Sequence, residues 1–187
     1  MKRPAFFYGY VIAAACFGIQ GVGVGTYTAF GVFFKPLLNE FDWTRATLSG
    51  AHSLVLLNMG VLGILVGRLN DRLGPRIVVT VTGFLFGLGL LLMSGLSNLW
   101  QLYLFYGLIV GMGMSSVDVI ALSTTARWFV RRRGMMTGIV KVGTGAGQMI
   151  IPLVASMFIT GFGWRTSYII IGAVVMVLLI ATAPIMM

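Results

Sequence analysis

The chain has 187 residues, 58% of them apolar and only 9% charged, and carries a formal net charge of +9 at pH 7. Its mean hydropathy is +0.99, whereas a soluble domain holds roughly a quarter charged residues, so the composition excludes a soluble globular protein and indicates one embedded in lipid. The single cysteine, Cys16, excludes an internal disulfide and a multi-thiolate metal centre.

Uncharged stretches able to cross about 30 Å of hydrocarbon, roughly 20 residues each, fall in chain order at 6–34, 46–67, 76–95, 99–126, 135–160 and 164–186. Six transmembrane helices are expected, in one domain, because no linker, low-complexity segment or composition shift divides them. The stretches are too long and too free of alternation for barrel strands.

The start, MKRPAFFYGYVIAAACFG, sets a basic tip of Lys2 and Arg3 before an apolar run. No small-residue cleavage site interrupts it, so it reads as the first span and not as a signal peptide. Within that span, Gly21 and Gly25 are spaced four apart, which permits close helix approach. Gln20 and Tyr27, seven apart, share a face and are candidates to line a cavity. The second span holds the only histidine, His52, which is either a proton carrier or a neutral hydrogen-bonding residue at a helix contact. Asn58 lies off its face, so no polar partner is expected for it there. SGLSNLW, residues 94–100, has the turn residues and interfacial Trp100 of a reversal between the third and fourth spans.

GIVKVGTGAGQMIIPL, residues 138–153, places one lysine, Lys141, in an otherwise uncharged run. The loop before it centres near Val130, with Asp118 twelve residues earlier and Lys141 eleven later. At about 1.5 Å per residue, antiparallel neighbours bring both to a similar depth, on the order of 10–15 Å inside the boundary. A lone charge in hydrocarbon costs several kcal/mol, and a pair facing the bundle interior costs less. Three readings remain open. The pair is a structural tie between the fourth and fifth spans; or Lys141 meets a substrate carboxylate while Asp118 releases it or carries a coupled proton; or the lysine snorkels to the surface. Lys141, Thr144, Gln148 and Pro152 share one face of their helix, as do Ser115 and Asp118 of theirs, which describes a wet or buried stripe.

With the N-terminus inside, the inner loops collect Lys2, Arg3, Arg68, Arg72, Arg76, Arg127, Arg131, Arg132 and Arg133, against Lys35, Arg45 and Arg165 outside. Both termini are therefore expected in the cytoplasm, with the chain multi-pass in a bacterial-type inner (plasma) membrane. The positive charge reads as a topology signal and as contact with the lipid bilayer, with no nucleic-acid partner.

GRLNDRLGPR, residues 67–76, is the most specific stretch. Gly67 permits close helix approach, Gly74 a tight turn, Pro75 the first turn of the next helix, and Asp71 charge-assisted bonds among arginines. It resembles the G-x-L-x-D-R-x-G-x-R signature of the major facilitator superfamily, matching it at Gly67, Leu69, Asp71, Arg72, Gly74 and Arg76, with Pro75 where many members have a basic residue. Residues 30–51 and 126–152 are similar to the corresponding regions of monocarboxylate and oxalate/formate type transporters in that superfamily. The resemblance implies an all-α membrane fold, one half of a transporter built as an inverted repeat of three helices plus three, whose two halves rock about a midplane site. It implies small organic anions as substrates, possible coupling to protons, and a partner in a C-terminal half or a second copy of the chain. On this reading LLIATAPIMM ends the sixth span of a truncated or fragmentary chain. No metal cluster, nucleophilic triad or phosphate loop is readable, so neither an enzyme nor a cofactor is expected. The alternative function is a non-transporting membrane scaffold.

Overall fold

A computed structural model describes residues 8–186. Lys2 and Arg3, the basic tip used for orientation above, lie outside the described residues. Among the described residues five helices are long and apolar enough to cross a membrane. They are α1 (Gly9–Phe41), α2 (Arg45–Leu73), α3 (Pro75–Met93), α4 (Leu99–Trp128) and α5 (Arg133–Thr182), with a short 3-10 turn at Ala183–Met186.

The expected sixth helix is not separate. The backbone runs helical through residues 133–182 except at Gly163, whose φ of 79° and ψ of 163° interrupt the hydrogen-bond ladder and leave two arms, 133–162 and 164–182. Gly74, between α2 and α3, has nearly the same conformation, φ 81° and ψ 160°. Both positions require a residue without a Cβ to turn the chain in so little length.

The helices also overrun the apolar stretches. α1 continues past Lys35 to Phe41, and α2 continues past Gly67 to Leu73. Charge ends a hydrophobic span, but it does not end a helix whose backbone bonds are intact. The 67–76 stretch is therefore mostly not a loop: Gly67 to Leu73 are the last two turns of α2, Gly74 alone is non-helical, and Pro75 opens α3. Nor is Gly67 tightly packed, since a Cβ there would meet Val119 at an ordinary 3.9 Å.

Local signals explain the ends. The Thr44 hydroxyl accepts the Thr47 amide at 3.2 Å and caps α2. Asn98 and Gln101 form a capping box at the start of α4, after the expected reversal. Residues Tyr103–Val110 of α4 wind as a π-helix, which no local pattern announces.

The tightest packing is the crossing of α1 with the first arm of α5. A Cβ on Gly25 would sit 2.5 Å from the Gly147 carbonyl oxygen, and one on Gly143 would sit 2.5 Å from that of Phe17. Backbone touches backbone along Gly21/Gly25 and Gly143/Gly147. Apolar lipid gives helices no hydrophobic reason to associate, so close van der Waals contact of this kind has to hold them.

Candidate functional site

Beside that crossing, a polar network joins α1, α4 and α5. Lys141 Nζ donates to Asp118 Oδ1 at 2.6 Å, and Gln20 Nε2 donates to the same oxygen at 2.7 Å. The Thr144 hydroxyl donates to Gln20 Oε1 at 2.9 Å. Gln20 is fully buried, with both ends of its amide engaged, whereas the side chains of Lys141 and Asp118 are 47% and 41% exposed. The buried amide thus fixes a carboxylate whose partner ammonium stays reachable from one side of the bundle. A carboxylate accepting two charge-assisted or amide bonds on one oxygen keeps lone pairs free on the other.

The remaining candidates divide. Ser115 is buried and spends its hydroxyl on the Met112 carbonyl one turn back, at 2.6 Å, so it does not join Asp118. Gln148 is exposed on the α5 stripe and takes no part in the network. Tyr27 and His52 meet each other instead, their rings stacked at 4.1 Å between α1 and α2. His52 Nδ1 also lies 3.1 Å from the Tyr106 hydroxyl, and Phe30 stacks on Tyr106 at 3.9 Å. This aromatic cluster lies about two to three turns along α1 from Gln20. Tyr106 belongs to the π-helical stretch, as does Gly107, whose carbonyl accepts Asn58 Nδ2 at 2.8 Å. Asn58 thus bonds α4 and not His52, as its place off the His52 face implies.

Among the described residues each end of the bundle carries one ion pair. At the Gly74 end, Arg127 NH2 donates to Asp71 Oδ1 at 2.5 Å, with both side chains more than half exposed. At the Gly163 end, Arg165 NH2 donates to Glu40 Oε1 at 2.7 Å. Trp164 Nε1 donates to the other oxygen of Glu40, Arg165 NH1 reaches the Ser94 carbonyl at 3.1 Å, and its guanidinium lies 4.5 Å over the Trp164 ring. Glu40 and Trp164 escaped the sequence reading. They are 124 residues apart, and nothing local in either segment signals the contact.

The sequence profile of the Major Facilitator Superfamily matches residues 5–186. Monocarboxylate transporter 11 of Homo sapiens is 33% identical over 167 residues, covering 89% of this chain and 36% of the relative. Monocarboxylate transporter 6 of Homo sapiens is 29% identical, covering 93% of this chain and 34% of the relative. Monocarboxylate transporter 4 of Rattus norvegicus is 27% identical, covering 94% and 37%. The chain spans about a third of the length of these curated relatives.

Proposed function

The chain belongs to the Major Facilitator Superfamily, and we propose that it forms the N-terminal six-helix half of a secondary transporter for small monocarboxylate anions, working by alternating access. Support for six spans arranged as three plus three comes from the backbone. Gly74 and Gly163 turn the chain with the same φ and ψ, one between the second and third spans and the other between the fifth and sixth. An ion pair lies beside each turn, Asp71 before Gly74 meeting the end of α4 and Arg165 after Gly163 meeting the end of α1. Orientation rests on charge: Arg68, Arg72, Arg76, Arg127 and Arg131 to Arg133 gather at the Gly74 end, which supports the cytoplasmic side for that end.

The observation that carries the substrate reading is the Lys141–Asp118–Gln20–Thr144 network. Lys141 and Asp118 together are neutral. A substrate carboxylate that takes the ammonium of Lys141 displaces Asp118, leaving an excess negative charge within the bilayer, which is costly. A proton on Asp118 cancels it, so anion and proton cross together as a neutral set. Gln20 keeps Asp118 in place throughout, since its amide offers a donor to the carboxylate and its own oxygen is held by Thr144. The six-helix unit requires a covering partner, either a second half or a second copy of the chain, to close the far wall of the cavity.

A second reading has one observation in its favour. Full burial of Gln20 with both amide ends used is also what a structural brace between α1, α4 and α5 looks like. Uptake of radiolabelled small carboxylates into proteoliposomes separates the two. Saturable uptake driven by an inward proton gradient, and abolished by Lys141→Ala and by Asp118→Asn in folded protein, is the expected result. Uptake that survives Lys141→Ala removes the lysine from the substrate path and leaves the brace.

A further inference from the structure

At the Gly163 end, α1 and α2 border an open cleft of about 600 Å³ lined by Phe34, Lys35, Leu38, Asn39, Arg45 and Ser49, together with Gly31. We propose that this cleft is a separate capture site for monocarboxylate anions at the mouth of the transport path; the choice of carboxylate rests on the transport reading above.

Four observations carry the site. First, it holds two cations and no acid. The three ion pairs among the described residues use Asp71, Asp118 and Glu40, and none includes Lys35 or Arg45. The fourth acid, Asp42, does not line the cleft. Second, Arg45 is the first residue of a 29-residue helix, so the positive end of the α2 dipole adds to the same field. Third, the lining matches an amphipathic ligand. Lys35, Arg45, Asn39 and Ser49 offer donors to a carboxylate, and Phe34 and Leu38 offer an apolar wall to a short alkyl chain, in a volume within the usual range for small-molecule pockets. Fourth, the cleft continues the working face of α1. Gln20, Tyr27, Gly31, Phe34 and Leu38 follow one another at helical spacing, and the fifteen residues from Gln20 to Lys35 span roughly 22 Å at the α-helical rise. The mouth and the Gln20 end of the network thus lie along one face of α1. Concentrating an anion there by charge raises its rate of entry.

The same cations would also attract the phosphate of a lipid headgroup, and the experiment separates the two sources. The chain is reconstituted in nanodiscs of zwitterionic lipid, and acetylation of the Lys35 amine by a water-soluble acylating reagent is followed by peptide mass spectrometry, at constant ionic strength, in propionate, propionamide or chloride. Propionate is expected to slow modification of Lys35 about threefold or more relative to chloride, with propionamide inert, as for a site that needs charge and shape together. The protection should vanish in Arg45→Gln, an exposed substitution, and persist in Lys141→Ala. Equal rates in propionate and chloride overturn the proposal, as does protection seen only when anionic lipid is added to the discs. The two readings fail separately: Lys141-dependent uptake with unprotected Lys35 removes the mouth site alone, and protection without uptake removes the transport reading and keeps the mouth site.

Discussion

α1 presents two faces that could hardly be more different. Toward α5 it is packed backbone to backbone at Gly21 and Gly25, with no room for an additional carbon at Gly25 and a tight 3.1 Å approach for one at Gly21. Toward α2 it is parted, and Tyr27, Lys35 and their neighbours line stacked rings and an open cleft. The network of Gln20, Asp118, Lys141 and Thr144 sits where these faces adjoin, anchored on the packed side and half exposed on the other. The contrast teaches that close packing and polar lining are divided between opposite faces of one helix, so the two can be tested separately.

The largest effect is expected in the seam. Gly147→Leu drives a side chain into the Gly21 backbone and should abolish recovery of monodisperse protein on size exclusion, whereas Gly145→Leu, where a Cβ would meet nothing within 4 Å, should be recovered normally. Equal recovery of both would mean the seam does not hold the fold.

Next comes the boundary. Asp118→Ala strands both the Lys141 ammonium and the Gln20 amide, at about 1–3 kcal/mol by the cost of unpaired polar groups. Lys141→Ala strands less, and the double variant should recover part of the loss, because it removes the unpaired cation as well. Thermal unfolding in detergent reads all three. Strict additivity would show that the contact carries no coupling energy.

On the parted face, Tyr106→Phe deletes the hydroxyl that meets His52 while keeping the ring on Phe30. The expected loss is about 1 kcal/mol, visible as a small drop in melting temperature, and no change would mean that stacking alone seats the histidine.

The smallest effects belong to the ends. Glu40→Gln should cost about 1 kcal/mol, since Arg165 and Trp164 share that carboxylate, and Asp71→Asn should cost less, since its partner is one exposed arginine. Raising the salt should narrow the difference. An Asp71→Asn loss exceeding that of Glu40→Gln would reverse the ranking of the two ends.

Much of this was readable in advance, for identifiable reasons. The close approach at Gly21 and Gly25, the depth match of Asp118 and Lys141, and the reversal at residues 94–100 all follow from helical rise and residue size. The overrun of α2 through Leu73 was not readable, because hydropathy reports where lipid ends and is silent on where backbone bonding ends. Neither was the removal of Ser115 from the network, since a hydroxyl sharing a face with Asp118 finds its own helix carbonyl nearer. That Asn58 does not pair with His52 was readable from its place off that face, but its bond to the Gly107 carbonyl of α4 was not, since no local pattern joins residues 49 apart.

The sequence by itself determined that the chain is a multi-pass membrane protein, and that one acid and one base lie in long apolar stretches at matching distances from the turn between them. Those properties depend on local composition and on a fixed rise per residue. Only the tertiary structure decided that Gln20 locks Asp118, that Glu40 gathers Trp164 and Arg165, and that Lys35 and Arg45 share a cleft without an acid. Those depend on which helices touch, and that choice is made by packing between different helices, up to 124 residues apart for Glu40 and Trp164, where no periodicity along the chain can record it.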